Sequence, residues 1–504
     1  MNKPNEMNEI YKGSKVAKNT IYNLLGYGIP LIIALVLIPS LIKGLGEERF
    51  GILNLVWIVI GYFSFFDFGI GRILTKIIAE KIGLNQFKEI PKIFWTSFLI
   101  MLVVSTLGTF FLLFLIPYLV NSIFIISKDF QQETISTFYV LAISIPIVTT
   151  TAGLRGVLEA YQKFDTINVI RIFLGAFTFL GPLLCLIFIN SLFWIVIVLI
   201  IIRIGVWILY LLQCFKVSSD IKKEVKFNSG LVIPILKLGG WITVANLVAP
   251  FIIFSDRFLI GALVSATAVT YYATPYEVVT KLLLIPGALV VVLFPVFSAS
   301  YNVNPDYSKK LFLSGTKFIF LILYPVILLI VTFSYEGIEL WLGKKFADNS
   351  YLILQFLAIG VLLNSLAAVP FNFFQGIGKP KIPALVNLVE LPFYLLIMWV
   401  VIKKWGINGA ALIWLLRIFI DAAILFIIAQ KIIDIFHDSK NKIYIFFAMI
   451  FILAFPFVVH DLYLKIIFAL GTLIIYMIIT WKYFLEIDER AYLISKFNKV
   501  RLNS

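Results

Sequence analysis

Four cationic side chains lie within long apolar runs of the sequence: Arg203, Arg257, Lys281 and Arg417. If these runs cross a membrane, each cation costs about 2.5–3.5 kcal/mol at mid-span, so it must face protein, water or a ligand rather than lipid. Arg203 is the sharpest case, because its run contains no acid and it lies about twelve residues, roughly 18 Å, from either end. It therefore needs an acid from another helix or an anionic ligand.

Two of the four cations have an acid one helical turn away in the same run. Asp421 follows Arg417, and Glu277 precedes Lys281. Side chains four residues apart are neighbours on a helix and can form an ion pair. For these two cations, local pairing and ligand binding are both open.

Three acids are candidates for carrying a coupling ion: Glu390, Asp256 and Asp421. Glu390 is the most isolated, since it lies in the middle of an apolar run with no cation of that run nearby. Asp256 adjoins Arg257, and adjacent helical side chains point about 100° apart, so both need partners elsewhere. We expect Glu390 to carry a proton or sodium ion; the alternative is a carboxylate held by an arginine of a neighbouring helix.

The composition decides the environment of these charges. Of the 504 residues, 61% are apolar and 14% are charged, whereas ordinary globular chains are about half apolar and about a quarter charged. A soluble protein of this size could not bury so much apolar surface. The chain is therefore predicted to be a membrane protein.

Cysteine and histidine are too scarce for the common metal and redox sites. Cys185 and Cys214 both lie in apolar runs, and His437 and His460 are the only histidines. Neither a disulfide framework nor a CxxC motif is present, and the histidines are too far apart for a histidine-based site. We expect no metal and no cofactor, apart from coupling to H⁺ or Na⁺.

Runs of about 20 apolar residues, enough to cross a bilayer as a helix, recur along the whole chain. They predict an all-α polytopic protein with about fourteen transmembrane helices. The predicted limits are 20–42, 50–71, 94–119, 134–158, 167–189, 192–215, 236–261, 269–297, 311–333, 351–374, 382–402, 407–429, 443–459 and 462–481.

The excess of basic residues predicts the orientation of these spans. The chain has 42 Lys and Arg against 27 Asp and Glu, a formal net charge of +15. With the N-terminus inside, about thirty basic residues lie on the cytoplasmic side and about eight outside, as the positive-inside rule requires. We expect both termini to be cytoplasmic, the N-terminus to be retained, and the charge to serve topology rather than nucleic-acid binding.

Because every loop is short, no catalytic domain fits between spans, and the protein is not expected to be an enzyme.

Three sequence correspondences predict an internal repeat. Residues 159–163 correspond to 375–379 at an offset of 216, Arg203 to Arg417 at 214, and Pro30 to Pro250 at 220. Each copy holds six spans, so the two copies have the same orientation, as in some secondary transporters. The expected architecture is two six-helix lobes facing a central cavity, followed by two further helices. The predicted segments are a cytoplasmic N-terminal segment (1–18), an N-lobe (19–215), a linker (216–235), a C-lobe (236–430), the last two spans (431–481) and a cytoplasmic tail (482–504).

Several short motifs resemble a known family. They are GLGEERFG at 44–51, DFGIGR at 67–72, GGWIT at 239–243, SDRFLIG at 255–261, YEVVTK at 276–281 and LWLG at 340–343. With them the chain, up to about residue 429, resembles the Wzx-type polysaccharide (O-antigen unit) flippases, the polysaccharide biosynthesis family of the MOP exporter superfamily. The resemblance implies a fold similar to that of MATE antiporters and lipid II flippases, and a location in the bacterial cytoplasmic (inner) membrane.

The same resemblance implies a substrate and a mechanism. Members are thought to move undecaprenyl-diphosphate-linked oligosaccharide units from the cytoplasmic to the outer leaflet by alternating access, for O-antigen, capsule or exopolysaccharide assembly. The implied partners are this lipid, the bilayer and polysaccharide polymerase machinery. A MATE-like cation-coupled exporter of small molecules and a lipid II-type flippase are the alternatives.

A lipid diphosphate suits the four buried cations, because arginine binds phosphate oxygens bidentately and lysine adds a mobile charge. We expect some of Arg203, Arg257, Lys281 and Arg417 to hold it. Polar residues of the spans are the candidates for sugar contacts, although amides and tyrosines in membrane helices also bond to neighbouring helices. These candidates are Asn23, Tyr27, Asn54, Thr243, Asn246, Tyr276, Asn364 and Asn372.

Overall fold

The computed structural model describes residues 13–63, 69–301, 304–434, 440–459, 461–486 and 489–490; within them, side chains are described except at 13–27, 61–62, 236–251, 291–292, 295, 299, 440–444 and 446. All regular elements of this part are helical, which confirms the expected all-α class. The α-helices are α1 Gly13–Leu45, α2 Glu47–Tyr62, α3 Ile70–Gly83, α4 Ile90–Tyr118, α5 Lys128–Ile143, α6 Ile145–Ala160, α7 Phe164–Phe188, α8 Leu192–Val217, α9 Ser219–Lys223, α10 Val232–Leu263, α11 Ala266–Val279, α12 Leu284–Ser300, α13 Pro305–Thr332, α14 Ser334–Leu342, α15 Lys344–Gly376, α16 Lys381–Ile433, α17 Lys440–Ile452 and α18 Leu462–Ile479.

Ten helical segments of the described residues are long and apolar enough to cross a membrane. They cover eleven of the fourteen predicted spans, because the 53 residues of α16 contain two of them. The other three predicted spans coincide with α2, α10 and α17. The protein is thus a multi-pass membrane protein, and fourteen remains the predicted number of spans.

A glycine with positive φ lies at each of two helix breaks; the break at Gly406 falls between the predicted spans 382–402 and 407–429, and the break at Gly69 differs from the sequence prediction. Gly406 (φ 59°, ψ −143°) interrupts α16, which at about 1.5 Å per residue would otherwise be about 80 Å long. Gly69 (φ 65°) precedes α3, so Gly71 belongs to a separate helix and not to the span predicted at 50–71. Helix α3 is amphipathic, since Ile70, Leu74 and Ile78 are buried while Arg72 is exposed. The region that we predicted as a loop from Arg72 onward is therefore a packed helix.

The contacts divide the chain into two compact units. Unit 1 comprises Met1–Thr274 and Leu391–Ala410, and unit 2 comprises Pro275–Glu390 and Ala411–Ser504. The lobes predicted at 19–215 and 236–430 remain a prediction.

Glycines bring the helices of unit 1 into close contact. A Cβ placed on Gly156 of α6 would lie 2.6 Å from the carbonyl oxygen of Gly71 on α3. A Cβ on Gly51 of α2 would lie 1.8 Å from the carbonyl oxygen of Ala266. Small residues allow the helix backbones to approach this closely. Between membrane helices the association must come from such packing, because lipid provides no hydrophobic driving force. Around α3 and α6, an apolar cluster including Leu74, Phe94 and Val157 is fully buried.

A polar network joins three junctions of unit 1 that the charge pattern places on one side of the membrane. Glu133 of α5 accepts hydrogen bonds from Arg49 Nε (3.0 Å), Ser191 Oγ (3.0 Å) and the backbone N–H of Leu192 (2.7 Å). Arg49 Nη1 also donates to Asn190 Oδ1 at 3.2 Å. The α1–α2, α4–α5 and α7–α8 junctions therefore lie on the same side of unit 1; that this side faces the outside of the cell remains a prediction. We name these side chains the Glu133 network.

In unit 2, aromatic rings and one close helix contact form the core. Phe312 packs edge-on against Phe373 (5.6 Å) and Phe426 (5.8 Å). The indole of Trp414 lies over Gly360, where a Cβ would come within 2.2 Å of the ring. Gly360 and Trp414 both lie well inside apolar helices, so this part of the core depends on a small residue that faces a large one.

The helix ends at the first repeat correspondence have the same turn. Helix α6 ends with bonds from Gln162 N to Glu159 O (2.9 Å) and Lys163 N to Leu158 O (2.9 Å), with Gln162 at φ 57°. Helix α15 ends with the equivalent bonds 216 residues later, with Gly378 at φ 75°. The shared geometry is the left-handed helix cap, in which glycine is the preferred residue.

Candidate functional site

Arg203 lies near the middle of α8, whose other residues in this stretch are apolar. It lies between Leu199 and Val206, one turn away on either side, which are both buried. Its Nε is buried without a hydrogen-bond partner, and no ion pair joins its guanidinium to any residue in the described part of the chain. Trp207, one turn further on, donates to Thr150 of α6 at 2.9 Å. Arg203 is thus a half-buried cation, with a buried Nε, that pairs with no acid among the described residues of unit 1.

Asp256 and Arg257 lie near the end of α10 and are almost fully buried, at 0% and 3% exposure. As expected, Asp256 finds a partner on another helix: its Oδ2 accepts from the hydroxyl of Tyr272 at 2.7 Å, and its Oδ1 accepts from the Arg257 backbone N–H. The Arg257 guanidinium lies over the ring of Phe254, 5.7 Å from its centroid. The Asp256 carboxylate is therefore fixed within unit 1.

Lys281 is paired locally. It lies in the short 3₁₀ turn Thr280–Leu283 after α11, and its Nζ is 3.4 Å from Glu277 Oε2. The side chains are 39% and 37% exposed, so water screens the pair. Of the four cations, Lys281 is the least costly to keep without a ligand.

Glu390 and Arg417 come together within unit 2 although 27 residues separate them. Arg417 Nη1 is 3.6 Å from Glu390 Oε2, and the side chains are only 12% and 11% exposed. Neither Glu390 oxygen has a hydrogen-bond partner among the described residues. Asp421, one turn after Arg417, interacts electrostatically with the same arginine and with Glu390. One guanidinium therefore faces two carboxylates.

The alternative expected for Glu390 was a carboxylate beside an arginine of a neighbouring helix, and here that arginine lies beyond the break at Gly406, in the second half of α16. The 3.6 Å distance is an ion pair rather than a hydrogen bond. If both carboxylates were ionised, the group formed by Glu390, Arg417 and Asp421 would hold one uncompensated negative charge in a site with little access to water. Such a group can take up one cation or proton and lose it again.

The sugar-contact candidates are dispersed. Asn54 and Asn372 donate to carbonyl oxygens of their own helices, Phe50 O at 2.9 Å and Ala368 O at 2.8 Å. Tyr276 is buried edge-on against Trp414, with ring centroids 5.8 Å apart. Asn364 is half-buried in α15. The side chains of the other four candidates, Asn23, Tyr27, Thr243 and Asn246, lie outside the described residues.

Sequence reasoning missed a polar group in unit 2. Lys465, in the first turn of α18, is only 4% exposed and donates to Glu336 of α14 at 2.8 Å. Gln355 of α15 is 1% exposed and faces the same space. The three residues are far apart in sequence, and each follows an unremarkable loop or lies within an apolar run, so no local pattern indicated them.

No cluster of three or more His, Cys, Asp or Glu side chains with metal-binding geometry occurs among the residues that the structure describes. Cys185 and Cys214 are both free thiols.

Comparison with known proteins places these features in a family. Residues 16–301 match the family model described as polysaccharide biosynthesis protein. The chain is 32% identical over 414 residues to a Shigella flexneri protein described as an O-antigen transporter, a match that covers 81% of this chain and 96% of that protein.

Solved structures show the same fold at low sequence identity. A multidrug resistance MATE family transporter of the MOP superfamily, solved in its inward-facing conformation, aligns with a TM-score of 0.70 at 15% identity, over 81% of this chain and 94% of that chain. The lipid II flippase MurJ aligns with a TM-score of 0.67 at 16% identity, over 93% and 100%. These likenesses confirm the expected fold. The chain belongs to the polysaccharide biosynthesis protein family.

Proposed function

We propose that this protein moves undecaprenyl-diphosphate-linked oligosaccharide repeat units from the cytoplasmic to the outer leaflet of the bacterial inner membrane. The observation that carries the proposal is Arg203, a cation in the middle of α8 with no acid partner among the described residues. A diphosphate headgroup provides the anionic oxygens that this guanidinium lacks. The relationship to a described O-antigen transporter supports the same class of substrate.

In the proposed cycle, the predicted lobes 19–215 and 236–430 open alternately to the two sides of the membrane. Arg203 holds the diphosphate, with Arg257, Lys281 and Arg417 as the further cations, and polar side chains contact the sugars. The lipid tail stays in the bilayer, and no covalent bond is broken. Both termini are cytoplasmic, and polysaccharide polymerase machinery receives the product on the outer side.

A leaflet-exchange assay tests the substrate. The protein is reconstituted into vesicles with defined lipid-diphosphate glycans, and the appearance of glycan on the opposite face is followed beside efflux of an organic cation. We expect glycolipid exchange without cation efflux. Cation efflux without glycolipid exchange would instead establish the MATE-like alternative, and exchange of lipid II alone would establish a lipid II-type flippase.

We further propose that the group formed by Glu390, Arg417 and Asp421 couples transport to an ion gradient. The support is one guanidinium shared by two carboxylates, with Glu390 oxygens that no described donor reaches. Glu390→Gln should therefore make exchange insensitive to an imposed proton or sodium gradient. Glu339→Gln, which neutralises an exposed acid of the same unit, is the matched control. If the Glu390→Gln protein keeps the full gradient dependence of the native protein, Glu390 is not the coupling residue.

A further inference from the structure

A small polar pocket of about 270 Å³ lies in unit 2, away from the residues proposed above. Helix α14, the first part of α15 and the first turn of α18 enclose it. Loops bordering these helices are predicted to face the outside of the cell, because they follow spans that run outward. The residues that line it and carry the argument are Tyr335, Glu336, Asp348, Tyr351, Gln355 and Lys465.

Two buried oxygen atoms of this pocket lack a donor. Gln355 is 1% exposed; its Nε2 donates to Val331 O at 3.0 Å, while its Oε1 is buried without a partner in the described part of the chain. Glu336 Oε1 accepts from Lys465 Nζ, and Glu336 Oε2 is likewise buried without a partner there. Buried acceptors are almost always satisfied in folded proteins. The pocket is therefore shaped for a molecule that donates hydrogen bonds.

Tyrosine rings form another part of its wall. The rings of Tyr335 and Tyr351 meet edge to face with centroids 5.7 Å apart. The Tyr335 hydroxyl donates to Asp348 Oδ1 at 3.0 Å, and this bond raises the pKa of Tyr335, so the phenol stays protonated. A tyrosine offers an apolar ring beside a polar tip. A pyranose ring has the matching pattern, because it presents C–H groups on its faces and hydroxyl groups around its edge.

The charges decide which class of ligand fits. Lys465 already neutralises Glu336, and Asp348 adds a second carboxylate, so the pocket repels anions. A cation would compete with the Lys465 ammonium, which lies 2.8 Å from Glu336. Hydroxyl groups both donate and accept, and they satisfy Gln355 Oε1 and Glu336 Oε2 without added charge.

We propose that this pocket binds one uncharged sugar ring on the outer side of unit 2. Sugar binding at this pocket does not depend on the transport activity, because it is inferred only from the residues that line the pocket. The volume suits a single ring and lies below the usual range for larger ligands, about 300–1,000 Å³.

Binding of free glycosides to the full-length protein in lipid nanodiscs tests the proposal. The probes are methyl glucoside, methyl galactoside and methyl N-acetylglucosaminide, followed by saturation-transfer NMR and calorimetry, with glucuronate and sodium chloride as charged probes. We expect at least one neutral glycoside to bind and the charged probes not to compete. Gln355→Leu should weaken that binding by about tenfold or more, since it removes the buried acceptor at similar volume. Asn349→Ala, on the exposed side of the same helix, should leave it unchanged.

Tyr351→Ala provides a second variant, because Gln355→Leu also removes the donor to Val331 O. It should weaken glycoside binding through loss of the ring. The proposal fails if the native protein binds no neutral glycoside, if sodium or glucuronate binds in their place, or if both variants bind as the native protein does. If Gln355→Leu abolishes glycoside binding, its leaflet-exchange rate shows where the sugar ring comes from. A slower rate indicates the glycan of the transported lipid, and an unchanged rate indicates a free sugar.

Discussion

Replacing Arg203 by Met should make the protein more stable and less active at once. Met has a similar length and no charge, so it removes a cation that no described acid compensates and keeps most of the packing near Leu199 and Val206. An arginine held in a structural ion pair would behave in the opposite way, since removing one partner of a buried pair is destabilising by about 3–5 kcal/mol. The sign of the change in stability therefore separates ligand binding from structural pairing.

The expected magnitudes follow from the position of Arg203. A cation at mid-span costs about 2.5–3.5 kcal/mol on insertion scales. Because the side chain is half-buried rather than fully enclosed, we expect a gain of about 1–2 kcal/mol in the free energy of unfolding. The lost contacts with phosphate are charge-assisted hydrogen bonds of about 1.5–3 kcal/mol, so exchange should fall by roughly 10- to 150-fold. Arg203→Lys keeps the charge without the planar fork and should fall between the native protein and Arg203→Met.

Melting temperature in detergent and glycolipid exchange in vesicles are measured on the same preparations. Lys216→Ala is the matched control, because it removes an exposed cation from the last turn of the same helix and should change neither quantity appreciably. A lower melting temperature for Arg203→Met would refute the reasoning, since it would reveal a structural partner. Full exchange by Arg203→Met at normal protein level would remove Arg203 from the mechanism.

Four substitutions test three further predictions about stability, each measured as a shift in melting temperature. Gln162→Gly should stabilise the protein by about 0.5–1 kcal/mol because φ is 57° there, and Gly378→Ala should destabilise it by about 1–2 kcal/mol because φ is 75°. Glu133→Ala should cost about 1–3 kcal/mol, since it leaves Arg49 Nε and the first N–H of α8 without their acceptor. Gly360→Ala should cost about 1–3 kcal/mol by overpacking against Trp414.

These stability predictions have controls in the same elements. Gln132→Ala changes an exposed neighbour of Glu133 and should be neutral. Gly337, near which a Cβ would meet no atom within 4 Å, should accept alanine where Gly360 does not. An unchanged melting temperature for Glu133→Ala would show that the Glu133 network does not hold its three junctions together. Destabilisation by Gln162→Gly would contradict the shared helix cap.

The helices could largely be predicted, because the bilayer imposes a minimum length on the apolar runs that cross it. Long apolar runs form helices wherever their backbone groups cannot bond to lipid. The loops around Arg49, Glu133 and Asn190 have no local sequence motif. The order of the predicted spans nevertheless places them on one side, and in the structure the Glu133 network joins them. An error arose at Gly69, where the apolar run continues but the backbone turns.

The partners of the buried charges could be predicted only when they lie on the same helix. Lys281 and Glu277 are four residues apart, so helical geometry alone brings them together. Asp256 meets Tyr272 only because α10 and α11 pack side by side, and Glu390 meets Arg417 only because the break at Gly406 brings the two halves of α16 together. Gln355 lies in an apolar run where nothing marks its oxygen as unpaired until α14 and α18 close around it.

The amino-acid sequence by itself determined that this is a helical membrane protein, where its spans run, which motifs mark its family and that Arg203 is isolated from acids of its own helix. These properties depend on the neighbours of each residue along the chain, through apolar length, basic loops and the period of the helix. Only the tertiary structure decided that Arg417 faces two carboxylates, that Asp256 is tied to Tyr272 and that a pocket of unit 2 holds two unsatisfied oxygens. The reason is physical: the free energy of a buried charge or acceptor depends on the atoms within a few ångströms, and in a helical bundle those atoms come from distant parts of the chain.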